Sequence, residues 1–221
     1  QLWSAESDIT RQLEEHVSAV LFEDKRNFLN DLETFKHAVE SGDKRKAIFM
    51  GYCRGKMSEG FNLANKYVRC VVVVGIPLPS IMDIGIKHKK WFNSRMKNED
   101  QNWDDGDDWY TYQAHRAVNQ AVGRVLRNRF DWGVVLLLDS RWKGMQKTGR
   151  DSASGTKTEM PRWNLLPQWV TKICPARSSD TVEEASLAMD RFFARNPKPL
   201  PHLNQEWPKS PLHIANAERK E

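Results

Sequence analysis

Four short runs of apolar, mostly β-branched residues constrain the fold of this chain more than any other feature. They occupy residues 17–22, 47–52, 70–76 and 133–138. The last two are nearly continuous Val, Ile and Leu, a pattern typical of parallel strands covered on both faces. Segments with helical periodicity separate the runs. This alternation predicts an α/β fold with a largely parallel sheet flanked by helices.

The helical segments are defined by the spacing of their apolar residues. Phe28, Leu32, Phe35 and Val39 recur at intervals of four, three and four residues, which is the period of a helix face. The segment 98–108 is rich in acidic residues and is predicted to be a solvated loop. Helices are predicted at residues 4–16, 25–41, 80–97, 109–129 and 181–195.

Composition narrows the class of protein. The longest apolar runs are far shorter than the roughly 20 residues that span a bilayer, so no membrane segment is expected. Three scattered cysteines are too few for a disulfide scaffold, which favours an intracellular protein. A net charge of +5 permits a phosphate-bearing partner without requiring one. The first residue is Gln1 and no signal peptide follows it, so we expect a piece of a longer chain.

Polar and cationic residues cluster where the second apolar run ends. Residues 53–62 contain Gly55 and Gly60, which allow close backbone approach, and Arg54 and Lys56, which suit phosphate. Phe61 follows the second glycine where a Walker A loop would need lysine. An ordinary turn between a strand and a helix, with exposed cations, remains the alternative.

A second cluster lies on the predicted helix 109–129. A helix turns by about 100° per residue, and on this basis the two sides of the segment differ in polarity. An apolar stripe of Ala114, Val118, Ala121 and Val125 is expected to face the core. The opposite side collects arginines with a glutamine and a glycine, which favours a multiply charged oxyanion such as a triphosphate. That side comprises Arg116, Gln120, Gly123, Arg124 and Arg127. A solvated arginine-rich face is the alternative.

The two clusters together resemble a known family. Residues 54–60, RGKMSEG, are similar to motif V of the iron–sulfur (XPD-like) DNA helicases of superfamily 2. Residues 120–127, QAVGRVLR, are similar to their motif VI, Q-x-x-G-R-x-x-R. Residues 109–120 resemble the branch that holds the Fanconi anaemia group J and telomere-elongation regulator helicases. The resemblance extends over about residues 17–195.

This resemblance implies a RecA-like, P-loop NTPase-type domain over residues 1–195, with a proline-rich and disordered tail over residues 196–221. Its first strand is expected upstream of Gln1. In such a motor ATP and Mg²⁺ are shared with a first lobe, which this chain lacks. The 4Fe–4S cluster is expected only in that missing part, and no metal site is expected here. The chain alone is therefore expected to hydrolyse no ATP.

The resemblance also implies roles for individual residues. Arg124 and Arg127 would act as arginine fingers, with Gln120 near the γ-phosphate or its water. Glu59, Gly60, Asn62 and Gly123 would belong to the ATP site, and Arg54, Lys56 and Ser58 would touch DNA phosphate. Asn62 departs from the family, which has aspartate there, and so loses a charge.

The expected partners are single-stranded or forked DNA, the N-terminal helicase lobe and DNA-repair proteins, in the nucleus. The expected function is the second motor lobe of an ATP-dependent 5′-to-3′ DNA helicase. One alternative is a truncated or degenerate relative that binds nucleic acid or a partner without catalysis. Another is an unrelated α/β phosphate-binding enzyme. It is disfavoured because His115 has no obvious Ser or Cys partner.

Overall fold

The computed structural model describes residues 7–24, 26–41, 46–57, 63, 67–126, 131–142, 165–173, 179 and 181–196. Within them the element order is α1, β1, α2, β2, β3, α3, α4, β4 and α5, with residue ranges as follows. The strands are β1 (Ala19–Phe22), β2 (Ala47–Met50), β3 (Cys70–Val74) and β4 (Val134–Leu138). The helices are α1 (Asp8–Glu14), α2 (Phe28–Ser41), α3 (Ile84–Glu99), α4 (Gly106–Val122) and α5 (Val182–Arg195). A π-helical turn, Trp169–Ile173, lies between β4 and α5. No described helix is long and apolar enough to cross a membrane.

The strands form two parallel pairs. β1 pairs with β2, with Ala19 opposite Ala47, and β3 pairs with β4, with Cys70 opposite Val134. All four predicted strands are confirmed within two residues at each end, and the α/β class with parallel pairing is confirmed as well. In the described residues the pairs are separate two-stranded sheets rather than one continuous sheet.

The first sheet packs on α2. Phe28, Leu32 and Phe35 are buried as the helical spacing predicts, and Val39 is partly buried. Phe49 of β2 meets Phe28 and Phe35 edge to face, with ring centroids 6.0 and 5.9 Å apart. This geometry is the one that aromatic quadrupoles favour. The α2 face therefore determines where the end of β2, and the loop after it, can lie.

The second sheet packs on α4. Val73 of β3 is 3% exposed and packs in a cluster with Val118 and Val122 of α4. The same cluster contains Val170 of the π-helical turn and Leu166, which precedes that turn. The other face of this sheet is open, since Val74 is 71% exposed. The sequence pattern predicted cover on both faces, and this expectation is wrong for the described residues. A continuous apolar run indicates a strand but does not by itself supply a second covering layer.

Helix α4 begins earlier than the sequence predicted. It starts at Gly106, because the carboxylate of Asp105 accepts hydrogen bonds from the backbone N–H groups of Asp107 and Asp108 at 2.6 and 3.2 Å. Part of the predicted acidic loop is thus the cap and first turn of a helix, where carboxylates are favourable. The link between α3 and α4 shortens to residues 100–105.

The chain divides into two compact units, residues 1–179 and 180–221. In the second unit, α5 begins at its N-cap Thr181, whose hydroxyl accepts from the N–H of Glu184 at 3.2 Å. Phe192 and Phe193 meet edge to face, 5.6 Å between centroids. The predicted capped amphipathic helix is confirmed. The predicted disordered tail begins at Asn196, which the structure describes as the C-cap of α5, and the rest of it, residues 197–221, lies outside the described residues.

Candidate functional site

The loop after β2 is held by the carboxylate of Glu23, which follows β1. Its Oε2 accepts from the N–H of Tyr52 at 3.1 Å, and its Oε1 accepts from the N–H of Lys56 at 2.5 Å. A Cβ on Gly55 would overlap that carboxylate, so the loop approaches it more closely than any other residue would allow. The pairing of β1 with β2 brings these residues together. Glu23 thereby holds the backbone of residues 52–56, which include the start of the segment that resembles motif V.

Arg54 connects this loop to helix α4. Its backbone φ is +68°, in the left-handed region that non-glycine residues enter only at a cost of about 1 kcal/mol. Its Nη2 donates to the backbone carbonyl of Gln113, 59 positions along the chain, at 2.8 Å. A guanidinium has five N–H donors, so this bond leaves others for a second acceptor. The two segments singled out from the sequence are therefore in direct contact.

Helix α4 has the two-sided character that its sequence predicts. Ala114 and Val118 are fully buried, Ala121 is partly buried, and Val125 beyond the helix end is buried too. On the other side Arg116 is exposed and Gln120 is partly buried. The predicted apolar stripe is confirmed. It packs against the second sheet, and Arg116 and Gln120 lie on the side of α4 that faces away from that sheet.

The helix ends sooner than predicted. It stops at Val122, and after the N–H of Gly123, which still bonds to Asn119, the N–H groups of Arg124 and Val125 bond three residues back rather than four. Gly123 is a poor helix former, and Val125 is drawn into the core. Arg124 is partly buried in this turn rather than on the helix. The prediction that a helix to residue 129 carries the arginines is wrong for Arg124.

A cleft of about 460 Å³ runs beside α4. Asn119 donates from Nδ2 to the backbone carbonyl of Leu165 at 3.0 Å, and its buried Oδ1 has no hydrogen-bond partner among the described residues. An acceptor in that position can take a hydrogen bond from a ligand or a water. The lining residues are Tyr112, His115, Arg116, Asn119, Gln120 and Leu165.

His115 is a structural residue in the described part of the chain. It is 3% exposed, its Nδ1 lies 3.0 Å from the carbonyl of Thr111, and its ring meets that of Trp142 edge to face. A carbonyl can only accept, so the proton resides on Nδ1. Burial raises the pKa of both the Cys53 and the Cys70 thiols. These thiols stay protonated at neutral pH, which disfavours a cysteine nucleophile.

Sequence reasoning missed Glu23 and the contacts of Arg69. The guanidinium of Arg69 lies 4.4 Å from the Trp132 ring centroid and donates to the Trp132 carbonyl at 3.1 Å. Desolvation lowers the pKa of Arg69, which the nearby Asp131 carboxylate opposes. The available signal was position alone, because Glu23 follows β1 and Arg69 precedes β3. Their partners lie tens of residues away.

Several predicted site residues fall outside the described residues. The structure gives no placement for Ser58, Glu59, Gly60, Asn62 and Arg127. Among the predicted residues that it does place, Arg54 and Lys56 lie on the loop, and Gln120, Gly123 and Arg124 at the end of α4. No group of three or more potential metal ligands occurs in the described ranges.

Comparison with known proteins identifies the family. Residues 2–154 match the family described as the helicase C-terminal domain. The chain belongs to this family. Its mixed α/β structure of short parallel sheets flanked by helices is consistent with a RecA-like helicase domain.

The helicase domain is also similar to curated relatives called regulator of telomere elongation helicase 1 homolog. The Aedes aegypti protein is 30% identical over 177 residues, 80% of this chain and 16% of that protein. The Anopheles gambiae protein is 38% identical over 129 residues, 58% of this chain and 13% of that protein. The Drosophila melanogaster protein is 40% identical over 119 residues, 54% of this chain and 12% of that protein. The chain thus spans less than a fifth of the length of these relatives.

Proposed function

We propose that this domain is the second motor lobe of an ATP-dependent 5′-to-3′ DNA helicase. The observation that carries the proposal is the bond from Arg54 to the Gln113 carbonyl, which ties the loop after β2 to α4. In this proposal α4 and the turn after it face ATP, and the loop faces DNA. A change at one surface is then passed to the other through this direct contact.

The ATP-side chemistry follows from the charge that develops on the transferring phosphoryl group. A first lobe binds ATP and Mg²⁺, and Arg124 and Arg127 reach across to stabilise that charge as arginine fingers do. Gln120 hydrogen-bonds near the γ-phosphate or its attacking water. Glu59, Gly60, Asn62 and Gly123 complete the lobe's contribution around the nucleotide. The buried Oδ1 atom of Asn119 offers a hydrogen-bond acceptor in the cleft beside α4.

The DNA-side chemistry is contact with phosphate rather than with bases. Lys56 and Ser58 contribute a cation and a hydroxyl, and the remaining N–H donors of Arg54 are available to a phosphate oxygen. Such contacts position a single strand without selecting its sequence. In the full protein this lobe would act in the nucleus on single-stranded or forked DNA, with DNA-repair proteins as partners and a 4Fe–4S cluster in the part that this chain lacks.

The test is a substitution of Arg124 in a protein that combines this chain with its first lobe. We expect Arg124→Ala to lower kcat for DNA-stimulated ATP hydrolysis by about 10³-fold, with a much smaller change in KM, because the arginine acts on the transition state. Arg124→Lys should restore only part of the rate, since lysine lacks the planar fork. Arg11→Ala, at an exposed site on α1, is the control. An unchanged kcat with intact DNA binding would instead support a non-catalytic binding module.

A further inference from the structure

Helix α3 uses one side to pack on α4. Lys90 Nζ lies 2.7 Å from Asp107 Oδ1 and 5.0 Å from the Tyr110 ring centroid. Asn93 Oδ1 accepts from Trp103 Nε1 at 2.9 Å, and the Lys90 carbonyl lies directly against Gly106. This side of α3 is therefore occupied by its neighbour, and the opposite side is left to solvent.

The outer side of α3 carries a stripe of aromatic, apolar and basic residues. At about 100° per residue, Ile84, His88, Trp91 and Arg95 fall within an arc of about 60°. Ile84 is 70% and Trp91 62% exposed, and the Arg95 guanidinium lies 5.7 Å from the Trp91 ring centroid. At about 1.5 Å per residue the stripe is about 16 Å long. We call these four residues the α3 stripe.

The charge of α3 is strongly positive. It carries five Lys and Arg residues and a single carboxylate, Glu99. Lys90 is paired with Asp107, and Arg95 lies 3.4 Å from Glu99. Lys87 and Lys89 are exposed and form no ion pair with any residue that the structure places. A ligand for this surface must therefore bring negative charge as well as a flat apolar face.

We propose that the α3 stripe binds single-stranded DNA, with Trp91 stacked on a base and Lys87 and Arg95 beside the phosphates. The proposal rests on the DNA-motor function above and adds a binding surface away from the loop after β2. Single-strand binders combine cations with exposed aromatic rings, because every base offers a π face. Protein interfaces are depleted in lysine, and two copies of this basic helix would repel each other.

The test is fluorescence anisotropy of a labelled 15-nucleotide oligo-dT with the full 221-residue chain. We expect Trp91→Ala to raise Kd about five- to tenfold, and Trp91→Phe to retain most of the affinity because a ring remains. We expect Lys87→Gln with Lys89→Gln to reduce the slope of log Kd against log salt by about 1, for one to two lost phosphate contacts. Leu29→Ala and Lys46→Gln, at exposed sites outside α3, should change neither value.

Several outcomes would overturn the inference. The first is that the unsubstituted chain does not bind oligo-dT measurably. The second is that Trp91→Ala weakens binding of duplex DNA as much as binding of the single strand. The third is that Trp91→Ala abolishes self-association of the chain and leaves its DNA binding unchanged. If Lys56→Gln weakens DNA binding and Trp91→Ala does not, the α3 stripe is not a DNA-binding surface and the proposed motor function still stands. If Trp91→Ala weakens DNA binding while Arg124→Ala leaves ATP hydrolysis unchanged in the protein that includes the first lobe, the α3 stripe stands and the proposed motor function fails. The melting temperature of each variant controls for folding, and Trp91 is exposed enough to be replaced without loss of core packing.

Discussion

At the scale of single residues, the carboxylate of Glu23 organises the loop after β2. Two backbone N–H groups, those of Tyr52 and Lys56, donate to its two oxygens. Glu23→Gln replaces one acceptor oxygen with an amide group that can only donate. We expect a loss of about 1–2 kcal/mol in the free energy of unfolding, measured with urea. Glu33→Gln, at an exposed site on α2, is the control, and equal losses in the two variants would show that Glu23 has no such role.

Asp139, just after β4, gives a prediction about pH. Arg141 donates from its side chain to both oxygens of Asp139 at 2.9 and 2.7 Å, and these bonds hold the pKa of Asp139 below its usual value. A lowered folded-state pKa contributes stability above the unfolded pKa of about 3.9, and this is lost as the pH falls through the folded pKa. Asp139→Asn should therefore cost up to about 1 kcal/mol at pH 7, limited by solvent screening at Arg141.

The measurement is the unfolding free energy of Asp139→Asn and the unsubstituted chain between pH 7 and pH 3. The difference should be constant above about pH 5 and shrink below pH 4. Asp104→Asn, in the exposed link between α3 and α4, should show a smaller difference at neutral pH. A difference for Asp139→Asn that grows on acidification would contradict the argument.

At the scale of elements, the contact of α3 with α4 depends on Gly106. A Cβ there would overlap the Lys90 carbonyl oxygen and would lie 2.6 Å from Ser94 Oγ. Backbone cannot yield as a flexible side chain can, so Gly106→Ala should separate the helices at a cost of about 1–3 kcal/mol. Gly85→Ala, near the start of α3, meets only the Asp83 side chain at 3.1 Å and should be neutral or stabilising. Thermal unfolding of both variants tests this, and equal effects would refute the close approach.

The elements also show what the sequence can predict. The strands and the buried faces of α2 and α4 could be predicted from the spacing of apolar residues, because an element with one buried face has apolar residues at the period of that face. The start of α4 at Gly106 was missed because Asp105 is an ordinary acid in the sequence and a cap only in three dimensions. The early end of α4 was missed because the chain leaves the helix where Val125 packs into the core. The spacing of apolar residues does not distinguish this arrangement from a longer helix. The open face of β3 and β4 was missed because an apolar strand does not reveal what covers it.

At the scale of the whole molecule, the candidate site is assembled from segments that are distant in sequence. The family could be inferred because motifs V and VI are short contiguous patterns. Two other features could not be inferred from the sequence. These are the hydrogen bond from Arg54 to Gln113 and the hydrogen bonds of Glu23 to residues 52 and 56, which join positions 29 to 59 residues apart. The roles assigned to Arg124, Arg127 and the loop cations stay predictions until activity is measured.

We propose that this domain completes an ATP site held by another lobe. The most direct measurement is DNA-stimulated ATP hydrolysis by the chain alone, by the first lobe alone and by the two combined. We expect negligible turnover from either part, turnover from the combination, and loss of that turnover when the chain carries Arg124→Ala. Robust hydrolysis by the isolated chain that depends on Arg124 would contradict it.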